Sequence, residues 1–307
     1  MLGIRTFLRN LFYPFADKSP HQIKTEFGII EIPHVDAYSR SWLHRSKNSL
    51  NGWHEPSLTW FLMLAGTIGN RRTLLDAGSH LGYFSFVHTR VPENLALAVE
   101  LNPAVFRTMS DMISRHYPHR GRIVGLNVGL SSSRGVMTLP HATSFSPSFS
   151  LVGSERNTGE GRNVGLETLD ALADAQGINI DLMKIDIEGA EFEMLKGAEA
   201  TLRRLMPIIA IELHPKLIPV ISSQSAEDLI SYMKSLGYRQ FQFLSGRAKA
   251  CTKLTEGFHP QMSDNPNLVF VADSDSEIVA LYNSSLSIVN NGAFPNGPER
   301  FDGVALN

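Results

Sequence analysis

From Thr73 onward the chain alternates short apolar runs with helix-length segments, a rhythm that few folds accept. Thr73–Ala77, Leu95–Glu100, Arg122–Leu126, Ile180–Ile185, Ile208–Leu213, Tyr238–Leu244 and Leu268–Ala272 are strand-sized. Leu81–His88, Pro103–His116, Ala190–Leu205 and Ala226–Leu236 lie between them with helical spacing, as in Phe192, Leu195, Ala198, Leu202 and Leu205. Asn102 before Pro103 marks a helix start, because Pro suits the first helical position and Asn caps it. Strands separated by helices predict an α/β fold with a mostly parallel sheet covered on both faces. Ligands of such sheets bind beyond the carboxyl ends of the strands, near the switch in strand order.

The flanks differ from this core. Residues 1–50 read as an N-terminal extension, residues 51–285 as the main domain and residues 286–307 as a loose tail rich in Gly, Asn and Pro. A helical pattern of Leu58, Phe61, Leu62 and Ala65 leads into the alternation. In residues 1–16, Ile4, Phe7, Leu8, Leu11, Phe12 and Phe15 recur at helical spacing, interrupted by Arg5 and Arg9. Such a segment is too charged for a signal-peptide core. It reads either as a helix docked on the main domain or a partner copy, or as one that contacts a membrane surface. The segment Ser131–Asn163 is rich in Ser, Gly, Pro and Thr, and its length suggests a functional loop covering a site.

Composition excludes several classes. Lys and Arg number 28 against 30 Asp and Glu, so the electrostatic excess expected of a nucleic-acid binder is absent. No apolar run approaches the roughly 18–20 residues of a membrane span. The single cysteine, Cys251, excludes an intrachain disulfide framework and a Cys-rich zinc site, and makes a reducing, cytoplasmic setting the default.

Chemistry-bearing residues collect just after the strands. Asp76-Ala-Gly78-Ser79-His80-Leu-Gly82 joins a strand to a helix, and Gly78 and Gly82 permit a tight turn with close ligand approach. It matches neither the dinucleotide fingerprint nor a phosphate-binding loop. Glu100 ends the next strand, at about the 20-residue distance where an acid holds two ribose hydroxyls. Lys184, Asp186 and Glu188 alternate with Ile185 and Ile187, so the three polar groups share one side where their strand exits. They read either as a capping and salt-bridge cluster or as a site. Glu212 and His214 project together from the following strand. His214 suits general-base work near neutral pH, and with two carboxylates it could also hold a divalent cation. A structural role competes for His214, and more so for His34, His54 and His141.

These segments, with Glu100-Leu-Asn-Pro, Glu167-Thr-Leu-Asp170 and Lys184–Ala198, resemble the FkbM-type methyltransferase family over about Glu55 to Ala272, in the family's order. The resemblance implies the class I methyltransferase fold: a Rossmann-like sheet, mostly parallel with an antiparallel last strand, and helices on both faces. It implies S-adenosyl-L-methionine as cofactor and O-methylation of a hydroxyl on a sugar, glycolipid or related metabolite. By the same resemblance Asp76, Gly78, Ser79 and Gly82 form the methionine-side loop, Glu100 binds ribose, and Asn127 falls near adenine. Asp186 and Glu188 then lie by the reacting methyl. His80 stands where the family usually has Asn, and Ser79 where it has Ala; His and Asn both tolerate positive φ.

Methyl transfer needs an aligned acceptor oxygen and a base, for which Asp186 or His214 qualifies, with Glu188 orienting substrate or cofactor. Nucleic-acid methylation fits poorly, since the chain has no Asn-Pro-Pro-aromatic run and no Pro-Cys nucleophile. A non-catalytic binding or scaffold protein on the same fold is the alternative from another class.

Overall fold

The computed structural model describes residues 21–25, 28–32, 53–68, 72–117, 120–140, 161–244, 250–260 and 264–291. Residues 1–16 and the middle of the Ser131–Asn163 segment, for which a membrane contact and a covering loop are expected, lie outside these.

A hairpin of β1 (His21–Thr25) and β2 (Gly28–Ile32) precedes the main unit. Helix α1 (Pro56–Thr67) leads to β3 (Thr73–Ala77), α2 (Tyr83–His88), β4 (Leu95–Val99), α3 (Pro103–His116) and β5 (Ile123–Leu126). Strands β6 (Gly129–Leu130), β7 (Gly135–Pro140) and β8 (Gly161–Glu167) follow, then α4 (Leu169–Gln176) and β9 (Leu182–Ile185). The chain continues through α5 (Glu191–Lys196), α6 (Glu199–Leu205), β10 (Ile208–Glu212), α7 (Ile218–Ser222) and α8 (Ala226–Ser235). It ends with β11 (Tyr238–Phe243), β12 (Leu254–Glu256), β13 (Asn267–Ala272) and α9 (Glu277–Asn290).

The main sheet has the order β12-β11-β13-β10-β9-β3-β4-β5. Neighbours from β10 to β5 are parallel, and β13 runs antiparallel between β10 and β11. The last strand in the chain is thus antiparallel, as expected, and the edge strand β12 is reversed as well. Alternation places Leu74, Ala98, Leu182, Ala210 and Val271 in the core cluster with Phe61, Phe84, Met109 and Tyr282. Leu75, Leu97, Met183, Ile211 and Phe270 face Leu172, Leu195, Leu202 and Leu229 in a second cluster. Burial of both faces explains why these strands read as continuous apolar runs. The order reverses at β3 and β9, and the site lies at that point.

Two expectations are corrected. The single helix over Ala190–Leu205 is two helices, because the chain passes so close to the β6–β7 connection that a Cβ on Gly197 would lie 2.1 Å from Ser131 O. Asp170 completes the break: its N–H donates to Gly197 O at 3.0 Å, and its carboxylate accepts from Ala200 N and Thr201 N, capping α6. Residues 286–290, expected to open a loose tail, are helical. Helix α9 crosses that boundary with Val289 buried, and Trp60 Nε1 donates to Ser285 Oγ at 2.7 Å. The flanks of the Ser-rich segment are strands, β7 pairing antiparallel with β8.

Candidate active site

Register positions the site. Asp76 pairs with Lys184 and Ala77 with Ile185 across β3 and β9, so the turn after β3 meets the turn after β9. Asp186 N donates to Ala77 O at 3.0 Å. Gly78 has φ +73°, and a Cβ there would lie 1.8 Å from Asp186 O. Only glycine permits that approach together with that backbone. Gly78 N and Ser79 N both donate to Val99 O, which fixes the turn against β4. Gly82, also left-handed, starts α2.

A cavity opens over this junction, lined by Gly78, Ser79, His80, Glu100, Lys184, Asp186 and Glu188. Glu100 accepts from His80 N (3.1 Å) through Oε2 and from Asn102 N (2.8 Å) through Oε1, so each oxygen keeps a lone pair. Burial pushes its pKa up to about 7, against the two backbone donors and Lys184. Leu101, Val105, Val128 and Leu130 supply an apolar wall beside it.

Three sequence-predicted residues sit elsewhere than expected. Asp76 is fully buried beneath the turn, where Oδ2 accepts from Ser85 N (3.0 Å) and Ser85 Oγ (2.7 Å), so it caps α2. Burial raises its pKa, while Lys184, 3.9 Å from Oδ1, opposes the shift. Asn127 is exposed and does not line the cavity. Its amide donates to Glu100 O (2.7 Å) and Leu101 O (3.0 Å), and the wall near it is Val128 and Gly129. These bonds hold the Asn127 side chain against the turn that follows β4. His214 is 2% exposed and stands behind the carboxylates rather than in the wall.

The geometry around His214 is specific. Nδ1 donates to Glu191 Oε1 at 2.6 Å, and Nε2 lies 3.4 Å from Glu188 Oε2, 3.9 Å from Asp186 Oδ1 and 4.0 Å from Glu212 Oε1. Burial works against charge on the ring, but the hydrogen bond to Glu191 and the carboxylates of Glu191, Asp186 and Glu188 raise its pKa to about 10. Asp186, Glu188 and His214 each offer an atom within 4.8 Å of the others, close enough in principle for a divalent cation. Without an ion the charged ring donates from both nitrogens; taking one up would require it to give up its Nε2 proton. Glu188 has left-handed backbone (φ 53°), and burial pushes its pKa up to about 7, with His214 opposing and neighbouring carboxylates reinforcing.

Two further residues line the wall: Lys184, expected only as a member of the charged cluster, and His54, expected in a structural role. Lys184 is 4% exposed; Nζ donates to Gly78 O (3.2 Å) and Asp186 Oδ2 (3.5 Å), joining the two turns, with the Phe84 ring centroid 5.2 Å away. His54, with Tyr83 and Phe84, forms an aromatic wall through edge contacts of 6.0 and 6.3 Å. It precedes the sheet, so no strand-end rule points to it.

A family model described as the Methyltransferase FkbM domain matches residues 76–240, more than half of the chain. The chain belongs to the FkbM methyltransferase family. Methyltransferase sdnD from Sordaria araneosa is 29% identical over 172 residues, covering 45% of this chain and 65% of that protein. Methyltransferase FkbM from Methylobacillus flagellatus KT shares 17% identity at a TM-score of 0.42, over 66% of this chain and 44% of that one. An O-methyltransferase from Bacillus cereus, in complex with SAH, shares 14% identity at a TM-score of 0.40, over 71% and 81% of the two chains. The chain thus spans less than two thirds of the length of sdnD and of the M. flagellatus protein. The FkbM match begins at Asp76 and ends at Gln240, so it takes in both turns of the cavity, Glu191 and His214.

Proposed function

We propose that the protein is an S-adenosyl-L-methionine-dependent O-methyltransferase acting on a hydroxyl of a sugar, glycolipid or related small metabolite. The observation that carries this reading is a cavity at the β3/β9 switch whose wall holds Glu100, with a lone pair left on each oxygen, together with the carboxylates of Asp186 and Glu188. The donor set suits the cofactor. Glu100 offers two acceptors to a ribose diol, the Leu101–Val105–Leu130 wall suits a flat adenine, and the left-handed turn at Gly78 admits close approach.

When bound, the cofactor supplies a methyl group on a positively charged sulfur. The protein's part is alignment and proton removal. Asp186, held by Lys184 and locked to Ala77 O, orients the acceptor hydroxyl. Glu188 takes the proton, since a carboxylate tuned to about 7 is a better base than an ordinary one. His214, held as a cation behind them, is not the base. The aromatic wall of His54, Tyr83 and Phe84 gives an acceptor a largely apolar surface. Among the described residues no helix is long and apolar enough to cross a membrane.

A methyl-transfer screen with labelled cofactor against glycans, glycolipids and hydroxylated metabolites, with and without chelator, tests the activity. Transfer that survives chelator supports the metal-free reading, and its complete loss contradicts it. Two further outcomes are expected. Glu100→Ala weakens cofactor binding by about 1.5–3 kcal/mol in calorimetry, the range for a charge-assisted hydrogen bond; unchanged affinity would remove the ribose assignment. Turnover is low where Glu188 is protonated and rises with pH through about 7, then levels off. A pH-rate profile flat from 5.5 to 8.5 would remove Glu188 as the base.

A further inference from the structure

We propose that Glu191 is a positioning residue for the reaction: it holds the His214 ring behind Asp186 and Glu188 and ties down the turn that carries Glu188. The proposal rests on the reading of Glu188 as proton acceptor. Glu191 is the first residue of α5 and has no exposed surface. Its Oε1 accepts from Gly189 N at 2.9 Å and from His214 Nδ1 at 2.6 Å. Oε2 is buried without a hydrogen-bond partner, a costly arrangement for a group that only caps a turn. A carboxylate in such a place needs a cation beside it, and the His214 ring provides one.

The groups facing His214 come from three elements. Asp186 and Glu188 stand on the turn after β9, Glu191 on α5 and Glu212 at the end of β10. All four are acids. The shortest of these contacts is with Glu191, and the second nitrogen is then turned toward Glu188 at 3.4 Å. Through the ring, the buried Glu191 therefore sets the charge next to the base; through Gly189 N, it fixes the left-handed Glu188.

Glu191→Gln keeps the size of the side chain and an acceptor for Gly189 N while removing the charge. His214 then loses its nearest counter-ion, and its ring pKa falls by about one unit or more. With less positive charge beside it, Glu188 keeps its proton to higher pH, so the acid limb of kcat moves upward. Turnover below the limb falls about tenfold for each unit the limb moves, with cofactor affinity unchanged. A merely structural Glu191 would lower the melting temperature and leave both the ring titration and the acid limb where they were.

The experiment follows the His ring C–H resonances of the full chain by NMR from pH 5 to 10, with the His214 signal assigned by its absence in His214→Gln. In the wild type the ring is expected to stay charged past pH 8, and in Glu191→Gln to titrate lower. A wild-type ring titrating near 6.5, or an identical titration in Glu191→Gln, would overturn the proposal. Because this readout needs no methyl transfer, its failure is distinct from failure of the enzymatic reading. If the titration shifts but kcat and its acid limb do not, the positioning role is overturned.

Discussion

Glu188→Gln is expected to lower turnover by about 10²–10⁴-fold, the contribution of a positioned base, with cofactor affinity nearly unchanged. The amide has the shape of the acid and tolerates the same left-handed backbone, so the turn survives. What it loses is a proton acceptor tuned to about 7 by burial and by the carboxylates around it. The loss should appear in kcat, because the acceptor oxygen gives up its proton as the bond to carbon forms. Asp186→Asn should lose less, since Asn can still accept the hydroxyl's hydrogen bond. Equal kcat in Glu188→Gln and wild type would assign the proton to another group.

Gly78→Ala is expected to destabilise the fold by about 2–5 kcal/mol, combining about 1–2 for a left-handed alanine with about 1–3 for overpacking. The clash is with backbone: the new Cβ would sit 1.8 Å from Asp186 O, and Asp186 N is itself tied to Ala77 O. Relief requires separating the two turns that form the cavity. Gly177→Ala is the control. It has a similar φ of +61° but nothing within 4 Å of its Cβ, so only the strain of about 1–2 kcal/mol remains. Denaturant midpoints at constant slope compare the two. A Gly78 variant as mild as the Gly177 one would mean that the two turns can separate at little cost.

Local signals in the chain were sufficient wherever the structure is locally determined. Helix α3 begins at Pro103 because Asn102 Oδ1 accepts from Ala104 N and Pro occupies the first position, both visible in the sequence. The core strands alternate between two buried faces, which their apolar runs announce. Helix α9 is harder: its buried Ile278, Val279, Tyr282, Ser285 and Val289 have helical spacing, but the intervening Asn and Ser read as loop. The break at Gly197 depends on Ser131, over sixty residues away, and no local rule reaches that far.

The same division holds in the cavity. Strand-end reasoning points to Glu100, Asp186 and Glu188, all of which line it. It cannot tell that Asp76 turns down to Ser85, that Asn127 turns to the Glu100 and Leu101 carbonyls, or that His214 is shielded by the carboxylates before it. Those outcomes are set by which neighbour offers a hydrogen bond first. Lys184 was visible as part of the cluster, yet its contact with Gly78 O follows from the pairing of β3 with β9, which sequence order does not show.

The most direct test of the central claim is the fate of a labelled methyl group. The protein is incubated with methyl-labelled S-adenosyl-L-methionine and a hydroxylated acceptor taken from the screen, and the product is treated with alkali. The account predicts label that stays on the acceptor, because a methyl ether resists alkali whereas a methyl ester releases methanol. Label released as methanol would contradict O-methylation of a hydroxyl. Cofactor bound in calorimetry but label transferred to no member of the panel would contradict catalysis itself, and leave a binding protein built on the same sheet.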